Sequence, residues 1–485
     1  MLEGNKWNVD QFDFTTLLID IASRGVDIFL TGYVTLDSRN VSRRLIEFDQ
    51  GDLGLGDYTR DYYLDREQHG KKIAAYRQFL ISMVQLFHID ASLPINERKI
   101  ASDVDEIIGL ETELAKILVP EEDRRNFTKM YNLRRFSDMQ TLMPLVDWAR
   151  YFHFVAPFVL NNYLANDPQI LITEIDYMRR VTELIKSTDP RIVTNYAYLR
   201  YSSSWGGELG ERFEDIYQNK QITKPYIPSG RTNCYLVREY ISTDATHRVL
   251  DKLEYTVIPP VMTNIESFQF VKAMELLHAM YGRENKPPRW KICTTSTMNM
   301  LNYATGALYV KKAFNEVPIY ILGYLDTWTT PSSLVVRALA QRNRTGLTAL
   351  FASPEVSKNV TLEMINNLQD AFLGIMVEND WMDERTKVTA IDKARHMLRQ
   401  IGYPDFILDD EKLDNYYDGL CVEESDSYSQ MMAKVTRWGI DFQFKRLMKP
   451  VDRNEFDFNP AIVNAYYSST SNSISEQAQA ITTSF

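Results

Sequence analysis

Cysteine is scarce: Cys234, Cys293 and Cys421 are the only three in 485 residues. An odd number cannot close into intrachain pairs without a remainder, so a disulfide-built scaffold is excluded and, taken alone, the count points to a reducing compartment. Histidine is too sparse for clustered metal chemistry. The six, His69, His88, His153, His247, His278 and His396, never come closer than nineteen residues. No H-E-x-x-H therefore exists, and that spacing is what sets two imidazoles one helical turn apart on zinc with a glutamate beside them. The sequence also lacks C-x-x-C, so a structural zinc is not expected either. No serine sits in a G-x-S-x-G elbow, and Gly51–Gly56 lacks the G-x-G-x-x-G spacing and reads as a turn. The longest apolar run, Val317–Leu325, is too short to span a bilayer, and Met1–Trp7 carries an early acid and no apolar stretch, so no membrane segment or export signal is expected. With a net charge of −11 and a pI near 5.3, the chain would repel a phosphate backbone, which argues against nucleic-acid partners.

What is present is a folded composition, with 45% hydrophobic and 25% charged residues. Helical periodicity dominates. Ile73, Tyr76, Leu80, Met83, Val84 and Phe87 recur every three or four residues, which predicts one buried stripe. Ser102 and Asp105 have capping-box spacing ahead of Val104, Ile107, Ile108, Leu114, Ala115 and Leu118, and Pro120 stops that helix. Leu362, Ile365, Leu368, Phe372 and Ile375 repeat the pattern. Asp383 is placed to cap a following helix carrying Ile391, Ala394, Leu398 and Ile401, closed by Gly402 and Pro404. His153 and His278 lie in apolar helical contexts and are expected in the core, whereas His69 and His396 face solvent. The acidic clusters around Asp103–Glu106 and Glu423–Asp426 read as solvated faces. Two stretches break the rhythm, near 220–267 and 315–354, and are expected to be insertions. Four N-x-S/T sequons, at Asn40, Asn126, Asn343 and Asn359, are possible glycosylation sites and point outside the cell, against the cysteine count.

Several blocks occur in a distinctive order: Asp37-Ser-Arg-Asn, Asp49-Gln50, Leu53-Gly-Leu55 and Arg60-Asp-Tyr-Tyr-Leu64, then Arg289-Trp-Lys-Ile-Cys293 and Gly306–Val310 with Phe314. Trp381-Met-Asp383, Lys393-Ala394 and Ile401–Pro404 follow, and Val463-Asn-Ala-Tyr-Tyr467 with Asn472-Ser-Ile474 comes last. Together they resemble the neprilysin and endothelin-converting-enzyme family of zinc metalloendopeptidases, from about Trp7 to Ile474 apart from the two insertions.

The resemblance implies a mainly α fold: a large multi-helix neprilysin-like domain over 5–450, then the start of a catalytic domain at 451–474 with its edge strand, and a non-family disordered tail at 475–485. In such enzymes the V-N-A-Y strand holds an extended peptide, which assigns substrate binding to Asn464 and Ala465. An edge strand suits that role, because an added strand gains backbone hydrogen bonds and an asparagine amide offers a donor and an acceptor. Without the family, Asn464 reads as a turn-former on an ordinary edge. The family also implies small peptide partners, a cell-surface or extracellular setting, and a zinc cofactor whose ligands follow the V-N-A-Y-Y block. These residues contain no such ligands, so no catalytic residue and no zinc are assigned, and the chain is expected to be inactive on its own. The family's W-x-x-C cysteine pairs with an N-terminal one, so Cys293 is expected to be free here. The alternative is a non-catalytic variant that binds peptides or a protein partner.

Overall fold

The computed structural model describes residues 7–56, 58–204, 289–312, 354–423 and 425–477. They fall into two units, residues 7–204, 289–296 and 420–451 in the first and 297–312, 354–419 and 452–477 in the second. The span 5–450, expected as one helical domain, thus contributes to both.

In the first unit the helices are α1 (Phe14–Ala22), α2 (Arg60–Leu64), α3 (Arg66–Asp90), α4 (Glu97–Ile117), α5 (Phe127–Met130), α6 (Asp138–Leu142), α7 (Trp148–Val155), α8 (Asn161–Ala165), α9 (Ile175–Ser187) and α10 (Pro190–Ser204). The helix Tyr428–Lys445 joins them, opened by a capping box between Ser427 and Gln430. They surround a four-stranded sheet of order β1-β2-β4-β3, with β1 at Leu30–Asp37, β2 at Asn40–Gln50, β3 at Asn132–Arg135 and β4 at Gln169–Ile172. β1 and β2 form an antiparallel hairpin, while β4 runs parallel to β2, with Ile46 opposite Ile170.

The period-3.6 pattern of α3 and α4 is realised as expected. Ile73, Tyr76, Leu80, Met83 and Val84 are buried on α3, and Val104, Ile107, Ile108, Leu114 and Ala115 on α4, in one core with Phe29, Phe48, Trp148 and Phe152. The expected capping box at Ser102 is not the start of α4. Asn96 accepts the Lys99 N–H at 3.1 Å and opens the helix earlier, so Ser102 lies inside it. His153 is exposed, not in the core: α7 buries Trp148, Tyr151, Phe152 and Val155, and the position after Phe152 turns outward at 100° per residue. Among the described residues the buried histidine is His88, whose Nδ1 lies 3.0 Å from the Pro94 carbonyl.

The second unit holds the end of the helix Arg289–Met300, helical residues 302–312, the helices Pro354–Glu378, Glu384–Arg395 and Asp410–Tyr416, and a three-stranded sheet of order β5-β7-β6. β5 spans Leu398–Gly402, β6 Ala465–Ser468 and β7 Ser473–Gln477. Asp383 caps its helix as expected, accepting the Thr386 N–H at 2.9 Å. That helix ends at Arg395, however, and Leu398 and Ile401 belong to β5. A short apolar run reads equally well as helix or strand, and the parallel ladder to β7 decides. Ser475–Gln477, expected as the beginning of a disordered tail, forms part of that central strand.

The stripe expected on Pro354–Glu378 is only partly inward. Ile365 and Met376 are buried beside Thr361, but Leu368, Phe372 and Ile375 are 62%, 50% and 63% exposed. The packed face is rotated around the helix from the one its apolar residues mark out. Asn343, Cys234, His247, His278 and the stretches 220–267 and 315–353 lie outside the described residues, as does the Cys293 side chain.

Candidate peptide-binding edge

β7 is held from both sides. β5 pairs with it in parallel, Leu398 opposite Ser473 through Gly402 opposite Gln477, and β6 pairs antiparallel, Ala465 opposite Glu476 through Ser468 opposite Ser473. Beneath the ladder, Ser475 donates its hydroxyl to Gln400 Oε1 at 2.9 Å, and Gln400 Nε2 donates to the Glu455 carbonyl at 2.9 Å, so this buried polar pair satisfies itself. Burial raises the Glu476 carboxyl above its ordinary value.

β6 overlaps the strand that the family resemblance implies at Val463–Tyr467 but begins at Ala465, and among the described residues it pairs with β7 alone. Asn464 and Ala465 are exposed at its start. Asn464 turns its carboxamide oxygen onto the Ala465 N–H at 2.9 Å. Tyr466 donates its hydroxyl to Asp457; burial first and then this hydrogen bond raise its pKa, so the phenol stays protonated. Tyr467 is 45% exposed and donates to Asn472 Oδ1 at 3.0 Å.

Asn472 carries a role that its sequence block only hinted at. It adopts φ +49°, a conformation asparagine tolerates better than most residues, and turns the chain from β6 into β7. From there its Nδ2 donates to the Lys393 carbonyl at 2.9 Å and its own carbonyl accepts the Leu398 N–H at 2.9 Å. One side chain thus clips the β6–β7 hairpin to the end of the Glu384–Arg395 helix. Neighbouring residues in sequence do not specify such a contact; the fold brings the partners together.

The early blocks build the first unit. Asp37, fully buried, accepts from the N–H groups of Arg39 and Asn40 and from Tyr131 and Arg43. Gln50 clamps residue 119 from both ends, its Oε1 accepting the Val119 N–H at 2.9 Å and its Nε2 donating to the Val119 carbonyl at 3.1 Å. Arg60 Nε donates to the Leu118 carbonyl at 3.3 Å. These residues position the fold.

Among the described residues, no three or more His, Cys, Asp or Glu side chains converge to hold a metal ion. Cys421 is exposed, and His396 is exposed as expected, its Nδ1 3.3 Å from Asp392 Oδ1.

A sequence model of Peptidase family M13 matches residues 1–235 and 345–404, more than half of the chain. The chain belongs to peptidase family M13. It is thereby a member of the neprilysin and endothelin-converting-enzyme group of zinc metallopeptidases. Neprilysin-1 of Caenorhabditis elegans is 40% identical over 475 residues, which cover 98% of this chain and 50% of that protein. Endothelin-converting enzyme 1 of Rattus norvegicus is 26% identical over 470 residues, covering 96% of this chain and 48% of that protein. The M13 chain thus spans about half the length of these curated relatives. A crystal structure of the Mycobacterium tuberculosis zinc metalloprotease Zmp1 with an inhibitor matches the fold at a TM-score of 0.66 and 21% identity, over 99% of this chain and 56% of that one. The mainly helical architecture is that of these metalloproteases.

Proposed function

We propose that these residues serve a neprilysin-like zinc endopeptidase that processes small peptides, and that their share of the work is to hold an extended peptide along β6. The observation that carries this reading is the exposed start of a strand paired on one side, with Asn464 and Ala465 at its open end. Backbone pairing supplies affinity with little regard to side chains, and an asparagine amide beside it can donate and accept at once.

Hydrolysis is not assigned to any residue here. Polarising the scissile carbonyl and activating water on zinc needs three ligands and a nearby carboxylate, and the six histidines are spaced too far apart in sequence for the helical pair. On their own, the 485 residues bind and do not cut. Asn40, Asn126 and Asn359 are exposed, which supports glycosylation and an extracellular or cell-surface setting. Among the described residues no helix is long and apolar enough to cross a membrane.

Purified chain is titrated with a labelled short peptide by fluorescence anisotropy, and zinc content and cleavage are measured in the same samples. Saturable binding weakened by substitution at Ala465 to proline, with no chelator-sensitive turnover, supports the reading. Absence of binding sinks the edge-strand role, and stoichiometric zinc with turnover sinks the non-catalytic assignment. A second reading, a variant that captures a protein partner, is favoured by the exposed Leu368, Phe372 and Ile375 together with Trp381 at 77% exposure.

A further inference from the structure

Antiparallel pairing alternates: every second residue of a strand directs its N–H and C=O to the partner strand, and the residues between direct theirs away. The Ala465 N–H is engaged at 2.9 Å by Oδ1 of Asn464, the residue immediately before it. The Leu398 N–H bonds the Asn472 carbonyl, so Asn472 and Ile474 direct their backbone groups at β5 and Ser473 and Ser475 direct theirs at β6; the partners of those two, Ser468 and Tyr466, therefore point at β7, and Ala465 and Tyr467 point outward. Ile462, Val463 and Tyr467 flank the site and are 36%, 56% and 45% exposed. An apolar strand end with open N–H groups recruits any strand it meets, and proteins blunt such edges with polar devices.

Resting on the reading of β6 as a peptide-pairing edge, we propose that Asn464 is a reversible cover for that edge. Its carboxamide oxygen holds the Ala465 N–H in the free protein and gives it up to the backbone carbonyl of an incoming extended peptide. The hydrogen bonds balance: the N–H changes acceptor, and the freed carboxamide turns to water or to the peptide's own N–H. One bond replaces another, so the cover costs a true ligand little. A segment that offers no second bond at Tyr467 gains nothing by displacing it. The cover thus selects peptides already extended over at least the Ala465–Tyr467 length and rejects helical or turn-forming ones.

Amide hydrogen exchange on the whole chain reads the cover directly, after correction for sequence-dependent intrinsic rates. Asn464→Asp keeps the acceptor oxygen and Asn464→Ala removes it. The Ala465 amide is expected to exchange about fivefold faster in the alanine variant than in the wild type or the aspartate variant, with Tyr466 unchanged. Equal rates at Ala465 overturn the proposal. Loss of protection at Tyr466 also overturns it, because Asn464 would then be holding the strand and not covering its edge. Stopped-flow association of an end-blocked peptide of alternating valine and threonine is expected to be faster in the alanine variant, and an unchanged or slower rate counts against the cover. If no variant binds that peptide while the exchange difference persists, the peptide-pairing reading fails and the cover stands as protection against self-pairing.

Discussion

Tyr63 donates its hydroxyl to Glu111 at 3.1 Å where both side chains are sealed from water. The other Glu111 oxygen accepts the Gly54 N–H at 2.6 Å and lies 3.7 Å from an Arg200 nitrogen, and Tyr63 accepts the Leu55 N–H at 3.2 Å. One carboxylate thereby ties the glycine-rich turn to α2, α4 and α10. Glu111→Ala takes the acceptor from the Tyr63 hydroxyl and the Gly54 N–H and removes the carboxylate beside Arg200, which keeps the Asp52 carbonyl and the Tyr196 hydroxyl, and is expected to cost about 3–5 kcal/mol. Glu111→Gln keeps the shape and one acceptor and should cost less. Urea unfolding followed by circular dichroism checks both, and two variants with wild-type midpoints would contradict this account.

Two glycines should respond to alanine with opposite signs. A Cβ on Gly51 would meet the backbone of Ile28 and Phe29, including the Phe29 carbonyl carbon at 2.7 Å, and backbone cannot step aside. Gly51→Ala is expected to destabilise by about 1–3 kcal/mol. Gly109 sits on the exposed side of α4 with nothing near its Cβ position, so Gly109→Ala should stabilise by about 0.5–1 kcal/mol through helix propensity and reduced unfolded-state freedom. Thermal midpoints moving in the same direction would refute the pair.

Asp37 sets an acid limit. Burial works to raise its carboxyl, but hydrogen bonds from the Arg39 N–H, Tyr131 and Arg43, with the Arg43 charge, outweigh it and hold the pKa below the ordinary value. A depressed folded-state pKa contributes stability that is present above the unfolded value and disappears as pH falls through the folded one. Wild type should therefore lose more stability than Asp37→Asn between roughly pH 5 and pH 2. Parallel pH profiles of the urea midpoint would remove Asp37 as the cause.

The exposed stripe of Pro354–Glu378 separates folding from association. Leu368→Ser and Phe372→Ser remove apolar surface that the described residues leave open, so the stability change should stay within about 0.5 kcal/mol. Any self-association of the chain should weaken in both, as read by analytical ultracentrifugation. A large loss of stability would place those side chains in a packed core.

The amino-acid order by itself determined the helical character, the stripes of α3 and α4 and the Asp383 cap. Each is a local pattern of period, cap or turn chemistry that a few neighbouring residues specify. It also determined that these 485 residues contain no H-E-x-x-H. Only the tertiary structure decided that Leu398–Gly402 is a strand, that Ser475–Gln477 joins it, and which face of Pro354–Glu378 packs. Strand pairing and helix facing depend on partners far along the chain, as when Leu398 meets Ser473 or Asn472 reaches Lys393. The roles of Asp37, Gln50 and Glu111 were invisible for the same reason: a buried polar group is defined by the donors brought to it, and those come from the fold.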